Sequence, residues 1–88
     1  MRRIIHTRQL ERDIKLCNRR GKDMRKFREI SAFLVQETAL PIKYRDHKLV
    51  GNYTGCRECH IEPDWLLIYK IDGDSIIFER TGTHSDLF

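Results

Sequence analysis

The chain has no long hydrophobic run. Its most apolar stretch, "WLLIYKI" from Trp65 to Ile71, falls far short of the roughly 20 apolar residues that a membrane helix needs. The start, "MRRIIHTRQLERD", has basic residues but no apolar core of a secretory signal, so a cytoplasmic protein is expected. No repeat and no low-complexity segment is present. Cysteine is scarce and odd in number, three in all, which fits reduced thiols better than a disulfide framework. With 88 residues there is no room for a second core, and one domain over residues 1–88 is expected. What the chain does have is charge. Lys and Arg number 17 against 13 Asp and Glu, a formal net charge of +4. That balance points to a polyanionic partner, either RNA or an acidic protein.

Periodicity outlines the elements. "RRIIHT" reads as a first strand. In "TRQLERDIKLCNRRG" the residues Leu10, Ile14 and Cys17 form one helical stripe, stopped by Gly21. Asp23 caps a second helix whose apolar face is Met24, Phe27, Ile30, Phe33 and Leu34. "ALPIKYRDHKLVGNYTG" breaks the period, a long loop of the kind that often carries function. "CRECHI" alternates, "EPD" turns, "WLLIYKI" is a central strand, "DGD" is a hairpin turn and "SIIFERT" returns. The expected fold is α+β, in the order β-α-α-β-β-β. A helical hairpin packs on one face of a small, mostly antiparallel sheet, and the other face stays open for a ligand.

Cys56-Arg57-Glu58-Cys59-His60 spells C-x-x-C-H, the attachment signature of c-type haem. Covalent haem attachment in bacteria takes place outside the cytoplasm, and no export signal is visible. Structural zinc needs four ligands, usually as two separated pairs; there is one pair here. Strand alternation also turns Cys56, Glu58 and His60 to one face, and Arg57, Cys59 and Ile61 to the other. No metal and no haem is expected, with Cys59 packing as a small apolar residue.

Histidine carries more. His47, His60 and His84 lie by turns or loops, with Arg57, Asp64 and Arg80 nearby. Metal-free RNA cleavage needs such a set. A base takes the proton of the 2′-hydroxyl, which attacks the adjacent phosphorus, and an acid protonates the departing 5′-oxygen. Cations offset the phosphoryl charge. Imidazole suits both proton roles, and the guanidinium fork matches phosphate oxygens. From the residues alone this is one constellation among several. A non-catalytic RNA- or protein-binding module on the same scaffold remains the alternative.

The stretches "YRDHKLVGNYTGCRECHIEPDWLLIYKI" and "FERTGTHSDLF", with "RDIKLCNRRGKDMRKF" before them, strongly resemble the YafQ branch of the RelE superfamily of toxin endoribonucleases. The resemblance implies an mRNA interferase that enters the ribosomal aminoacyl site, cuts the codon there, needs no cofactor, and is held inactive by an acidic antitoxin of the DinJ/RelB kind. It makes His84 the general acid and gives His47, His60 and Asp64 catalytic or proton-handling roles. Arg80 stabilises phosphoryl charge and Phe88 stacks on a base. Arg57 and Trp65 join the RNA-binding set, with Trp65 leaning to the sheet core. Two positions conflict with strand alternation. Arg57 falls opposite His60 unless a bulge near Gly55 intervenes. Phe78 and Arg80 share a face, which would put Phe78 under the substrate. The helix cations Arg19, Arg20, Lys22, Arg25, Lys26 and Arg28 are expected to meet ribosomal RNA or the antitoxin.

Overall fold

A computed structural model describes residues 1–88. Strand β1 is Arg3–His6, followed by helices α1 (Arg8–Arg19) and α2 (Met24–Val35). Thr7 caps α1 by accepting from the Leu10 amide, and Asp23 caps α2 by accepting from Arg25. Gly21 takes the positive φ of 78° that the turn between the helices requires. The loop that follows holds two single 3₁₀ turns, Ile42–Tyr44 and Gly51–Tyr53, and a two-residue strand β2, His47–Lys48. Strands β3 (Arg57–Glu62), β4 (Trp65–Asp72) and β5 (Ser75–Gly82) form a meander, and a short helix α3, His84–Leu87, ends the chain. Neither β2 nor α3 is visible in the hydrophobic periodicity, because each is too short to show one.

The sheet runs β1-β5-β4-β3-β2. β1 lies parallel to β5 and every other pair is antiparallel. The expected α+β order is therefore correct. α1 and α2 bury Leu10, Cys17, Phe27, Ile30 and Leu34 against Cys59, Ile61, Trp65, Leu67, Tyr69, Ile76 and Phe78. Each fully buried Leu or Ile contributes roughly 1.5–3 kcal/mol. The far face is not bare. Leu66, Ile68 and Leu87 make a smaller cluster there, edged by Leu49, Tyr53 and Cys56. The two cysteines of the C-x-x-C-H stretch thus pack on opposite faces.

Two bulges set the register. Ile68 pairs with Arg80 but Tyr69 pairs with Phe78, so Glu79 is an extra residue in β5. This resolves one conflict: Phe78 belongs to the helix-packed core, edge to face with Phe27, while Arg80 crosses to the side of Ile68. Phe78 does not lie under a substrate. The second bulge falls between His60 and Glu62, not near Gly55, so it leaves Arg57 where alternation put it.

Candidate active site

On the face away from the helices, the ladder aligns His47, Glu58, Ile68 and Arg80 across β2, β3, β4 and β5. Glu58 and Arg80 are two strand spacings apart, about 10 Å, over an apolar floor of Leu66 and Ile68. His60 stands two residues beyond Glu58 on the same face. Its ring centroid lies 6.0 Å from that of His47 and 5.9 Å from that of His84. Three imidazoles therefore form a row along one rim, with a guanidinium across the floor.

Glu58 is 4% exposed. Its Oε1 faces Nε2 of His60 at 3.3 Å and Nε2 of His47 at 3.5 Å. The other His47 nitrogen, Nδ1, donates to the Arg45 carbonyl at 2.7 Å. Arg45 takes the left-handed conformation, φ 52°, a costly turn for a non-glycine residue. It brings that carbonyl to the ring. Glu58, His47 and His60 are thus fixed to one another. The same three offer ligand atoms within 4.8 Å of one another, a spacing able to hold a metal ion.

His84 opens α3. Thr83 caps that helix and Asp86 returns a bond to the Thr83 amide, closing a capping box. The Asp64 carboxylate, in the turn between β3 and β4, accepts from the His84 amide at 2.9 Å and from Nδ1 at 2.6 Å. Those two bonds, the amide first, hold Asp64 below the usual carboxylate range. With Nδ1 committed to Asp64, Nε2 is the ring nitrogen left without a hydrogen-bond partner.

Arg80 donates Nε and Nη2 to Asp13 of α1, at 2.8 and 3.2 Å. This pairing raises its already high pKa, so the cation is permanent. Phe88, 64% exposed, meets the Tyr53 ring edge to face at 5.5 Å, and Tyr53 donates to the Leu87 carbonyl at 3.2 Å. An aromatic face is thus held at the end of the groove. Beside His60, a cleft of about 340 Å³ is lined by Lys26, Lys43, Tyr44 and Arg45 among others.

The family model of YafQ, the bacterial toxin of type II toxin–antitoxin systems, matches residues 2–88. The chain belongs to the YafQ family. It is 46% identical over 88 residues to the mRNA interferase toxin YafQ of Escherichia coli K12, with 99% of this chain and 96% of the relative covered. YafQ in the E. coli DinJ–YafQ complex superposes with a TM-score of 0.93 at 43% identity, covering 100% of this chain and 99% of the other. A metal-bound toxin from Helicobacter pylori gives a TM-score of 0.93 at 34% identity, with both chains covered fully. This chain is thus a YafQ-type toxin in sequence and in fold.

Of the residues that the YafQ resemblance put in the site, the fold gathers His47, His60, Asp64, Arg80, His84 and Phe88 around one groove. Two lie elsewhere. Arg57 points to the helix side, bound to Asp46, which also accepts from the Tyr69 hydroxyl. Trp65 is fully buried and donates to Thr81 at 3.0 Å, so it has no ring face to offer a base. Trp65 ties β4 to β5, and Arg57 ties β3 to Asp46 in the loop ahead of β2. Three members were missed. Glu58 was legible, since alternation turns it to the face of His60. Asp13 was legible too, as a carboxylate between Leu10 and Cys17 on an apolar stripe. Tyr53, inside an aperiodic loop, gave no signal.

Proposed function

We propose that the chain is a ribosome-dependent mRNA interferase that cuts the codon in the aminoacyl site by acid–base catalysis, without a metal. The enzyme is an endoribonuclease, in keeping with its E. coli relative, which is named an mRNA interferase toxin. The observation that carries the mechanism is His84, its Nδ1 held by Asp64 and its ring 5.9 Å from that of His60 in the row of imidazoles that faces Arg80. Attack of a 2′-hydroxyl on phosphorus needs a proton acceptor on one side and a donor on the other, each within about 3 Å of its oxygen. The Glu58, His47 and His60 end accepts the 2′-hydroxyl proton. His84 Nε2 protonates the 5′-oxygen as it leaves, and Arg80 offsets the charge on the phosphoryl oxygens. Phe88 stacks on a base.

Several features support dependence on the ribosome. His47, Asp64 and His84 are half-exposed at the surface, so they do not themselves enclose a strand bent for in-line attack. A body that presents the codon in fixed geometry supplies that orientation. The exposed cations Arg19, Arg25 and Arg28, on a chain of net charge +4, suit a surface of ribosomal RNA. Control falls to an acidic antitoxin, by analogy with DinJ in the E. coli complex. Such a partner would cover the cationic groove or the helix cations.

The test is primer extension on mRNA engaged by ribosomes, with chelator present, beside the same RNA without ribosomes. Cuts confined to the aminoacyl-site codon of engaged mRNA are expected. Salt-sensitive binding with no cuts would favour the non-catalytic module instead.

A further inference from the structure

Helix α1 carries a carboxylate on its apolar side. Leu10, Asp13 and Cys17 are its buried residues, and Asp13 is 6% exposed. Both of its oxygens are saturated. Oδ2 accepts from Arg80 Nε at 2.8 Å and from the Thr81 amide at 3.1 Å; Oδ1 accepts from Arg80 Nη2 at 3.2 Å and from Gln9 Nε2 at 3.1 Å. Four donors on two oxygens leave the carboxylate no freedom to rotate.

The placement follows from the sheet. β1 pairs with β5 as far as Phe78 and then ends. Past that point α1 takes over the free edge: Thr7 donates its amide to the Phe78 carbonyl and its hydroxyl to the Glu79 carbonyl, and Asp13 caps the Thr81 amide. The Glu79 bulge meanwhile turns Arg80 toward the groove. A guanidinium has two edges that can each make a paired contact. Asp13 occupies the Nε–Nη2 edge and is the only carboxylate paired with Arg80, so the Nη1–Nη2 edge carries no ion pair and has only the Tyr53 hydroxyl close by.

A buried ion pair is a poor device for stability, since an apolar pair of the same volume does as well or better. Leu10 and Cys17, on either side, show that this stripe accepts apolar residues. We propose that Asp13 is a positioning residue for RNA cleavage: it grips one edge of Arg80 so that the other edge faces the scissile phosphate. This rests on the role given to Arg80 above.

The test compares Asp13→Asn, Arg80→Gln and the double variant on ribosome-engaged mRNA under single-turnover conditions. The amide keeps the volume and one acceptor but turns an N–H group against the guanidinium. Misplacing a catalytic group by about 1 Å costs on the order of 100-fold in rate. A loss of that size in the chemical step is expected, with half-saturation changed no more than a few-fold. Asp13→Glu is expected to recover part of it. Two readouts separate positioning from mere structure. A sulfur replacing the phosphoryl oxygen that faces Arg80 slows the wild type, and that slowing is expected to vanish in Asp13→Asn. In the Arg80→Gln background, Asp13→Asn is expected to add nothing.

A folded Asp13→Asn protein with the wild-type rate and sulfur effect overturns the inference and leaves the reading of Arg80 standing. So does an equal loss in both backgrounds. If Arg80→Gln itself cleaves normally, the reading of Arg80 fails and takes the inference with it. Should Asp13→Asn not fold, the Arg80 Nε–H resonance of the wild type decides. A slowly exchanging, dispersed signal supports a held guanidinium, and a rapidly exchanging, averaged one refutes it.

Discussion

Replacing His84 with alanine separates chemistry from folding more cleanly than any other single change. The ring is half-exposed and makes one side-chain hydrogen bond, to Asp64, and the backbone amide keeps its own bond to that carboxylate. α3 retains its Thr83–Asp86 capping box. The melting temperature is therefore expected to move by about 4 °C or less, as for a surface substitution in a domain of this size. Antitoxin affinity should change by no more than a few-fold. General acid catalysis, by contrast, contributes typically 10²–10⁴-fold, or roughly 3–5 kcal/mol of barrier. Single-turnover cleavage of ribosome-engaged mRNA should fall by that factor while the fold holds. The assay gains an independent arm from a substrate with sulfur in place of the 5′-bridging oxygen. A thiolate leaves without a proton, so it should restore His84→Ala to near the wild-type rate. Cleavage of ordinary mRNA at the wild-type rate, or failure of the sulfur substrate to rescue a slow variant, would refute His84 as the acid.

Other consequences follow from the same geometry. Glu58→Gln keeps the shape of a buried side chain but cannot take a proton, so cleavage should drop by at least about 100-fold with the thermal melt nearly unchanged; a few-fold drop would remove Glu58 from the proton-accepting end. In Gly82→Ala a Cβ would meet the Asp86 carboxylate oxygen at 2.8 Å, at a φ of +157°, which disturbs the α3 cap at a cost of roughly 1–3 kcal/mol; calorimetry should show a clearly lower melting temperature, and an unchanged one would contradict the packing. Asp86 is held well below the ordinary carboxylate range, chiefly by Arg20, and Glu62 is lowered, chiefly by Lys26. Depressed carboxylates stabilise the fold above their unfolded pKa, near 4, and that contribution is lost as pH falls through the folded value. Melting temperature should thus decline below about pH 4, and Arg20→Ala should flatten the decline. Chelator should leave cleavage unaffected, whereas added zinc should slow it by engaging His47, Glu58 and His60; activation by zinc would overturn the metal-free mechanism.

Local pattern was enough for the frame, because α1 and α2 each bury one stripe and β4 shows as a continuous apolar run buried on both faces. The short pieces were not legible that way. α3 spans four residues and shows itself through Thr83 and Asp86, a cap spacing rather than an apolar repeat. β2 exists because His47 and Lys48 pair with Glu58 and Arg57, which is a long-range fact. Alternation handled the two conflicts unequally. For Arg57 it was correct, and the fold provides Asp46 as the partner that explains the side. For Phe78 and Arg80 it failed, because Glu79 inserts one residue and every later side chain changes face. A bulge leaves no mark in the residue pattern except the mismatch itself, an apolar and a cationic residue two apart in one strand.

The chemistry-bearing side chains all come from residues 47–88, yet the N-terminal helix decides where the last of them sit. Asp13 grips Arg80, one turn further along α1 lies Cys17 in the core, and the residue that caps the helix end is Arg20, which donates to both oxygens of Asp86 at 2.6 and 3.2 Å. Asp86 in turn caps the helix that begins with His84. One helix therefore braces Arg80, the cation proposed to face phosphate, through a part-buried pair and the end that carries His84, the proposed proton donor, through an exposed one. The two braces differ in how salt reaches them. Exposed pairs are screened on a scale of about 10 Å at 0.1 M, and buried ones far less. Raising ionic strength should therefore loosen the α3 end before the Arg80 end. The segment that carries His84 would lose order first, with the Asp13–Arg80 pair still formed. In the Arg20→Ala variant that salt sensitivity of α3 should disappear, since the screened pair is already gone.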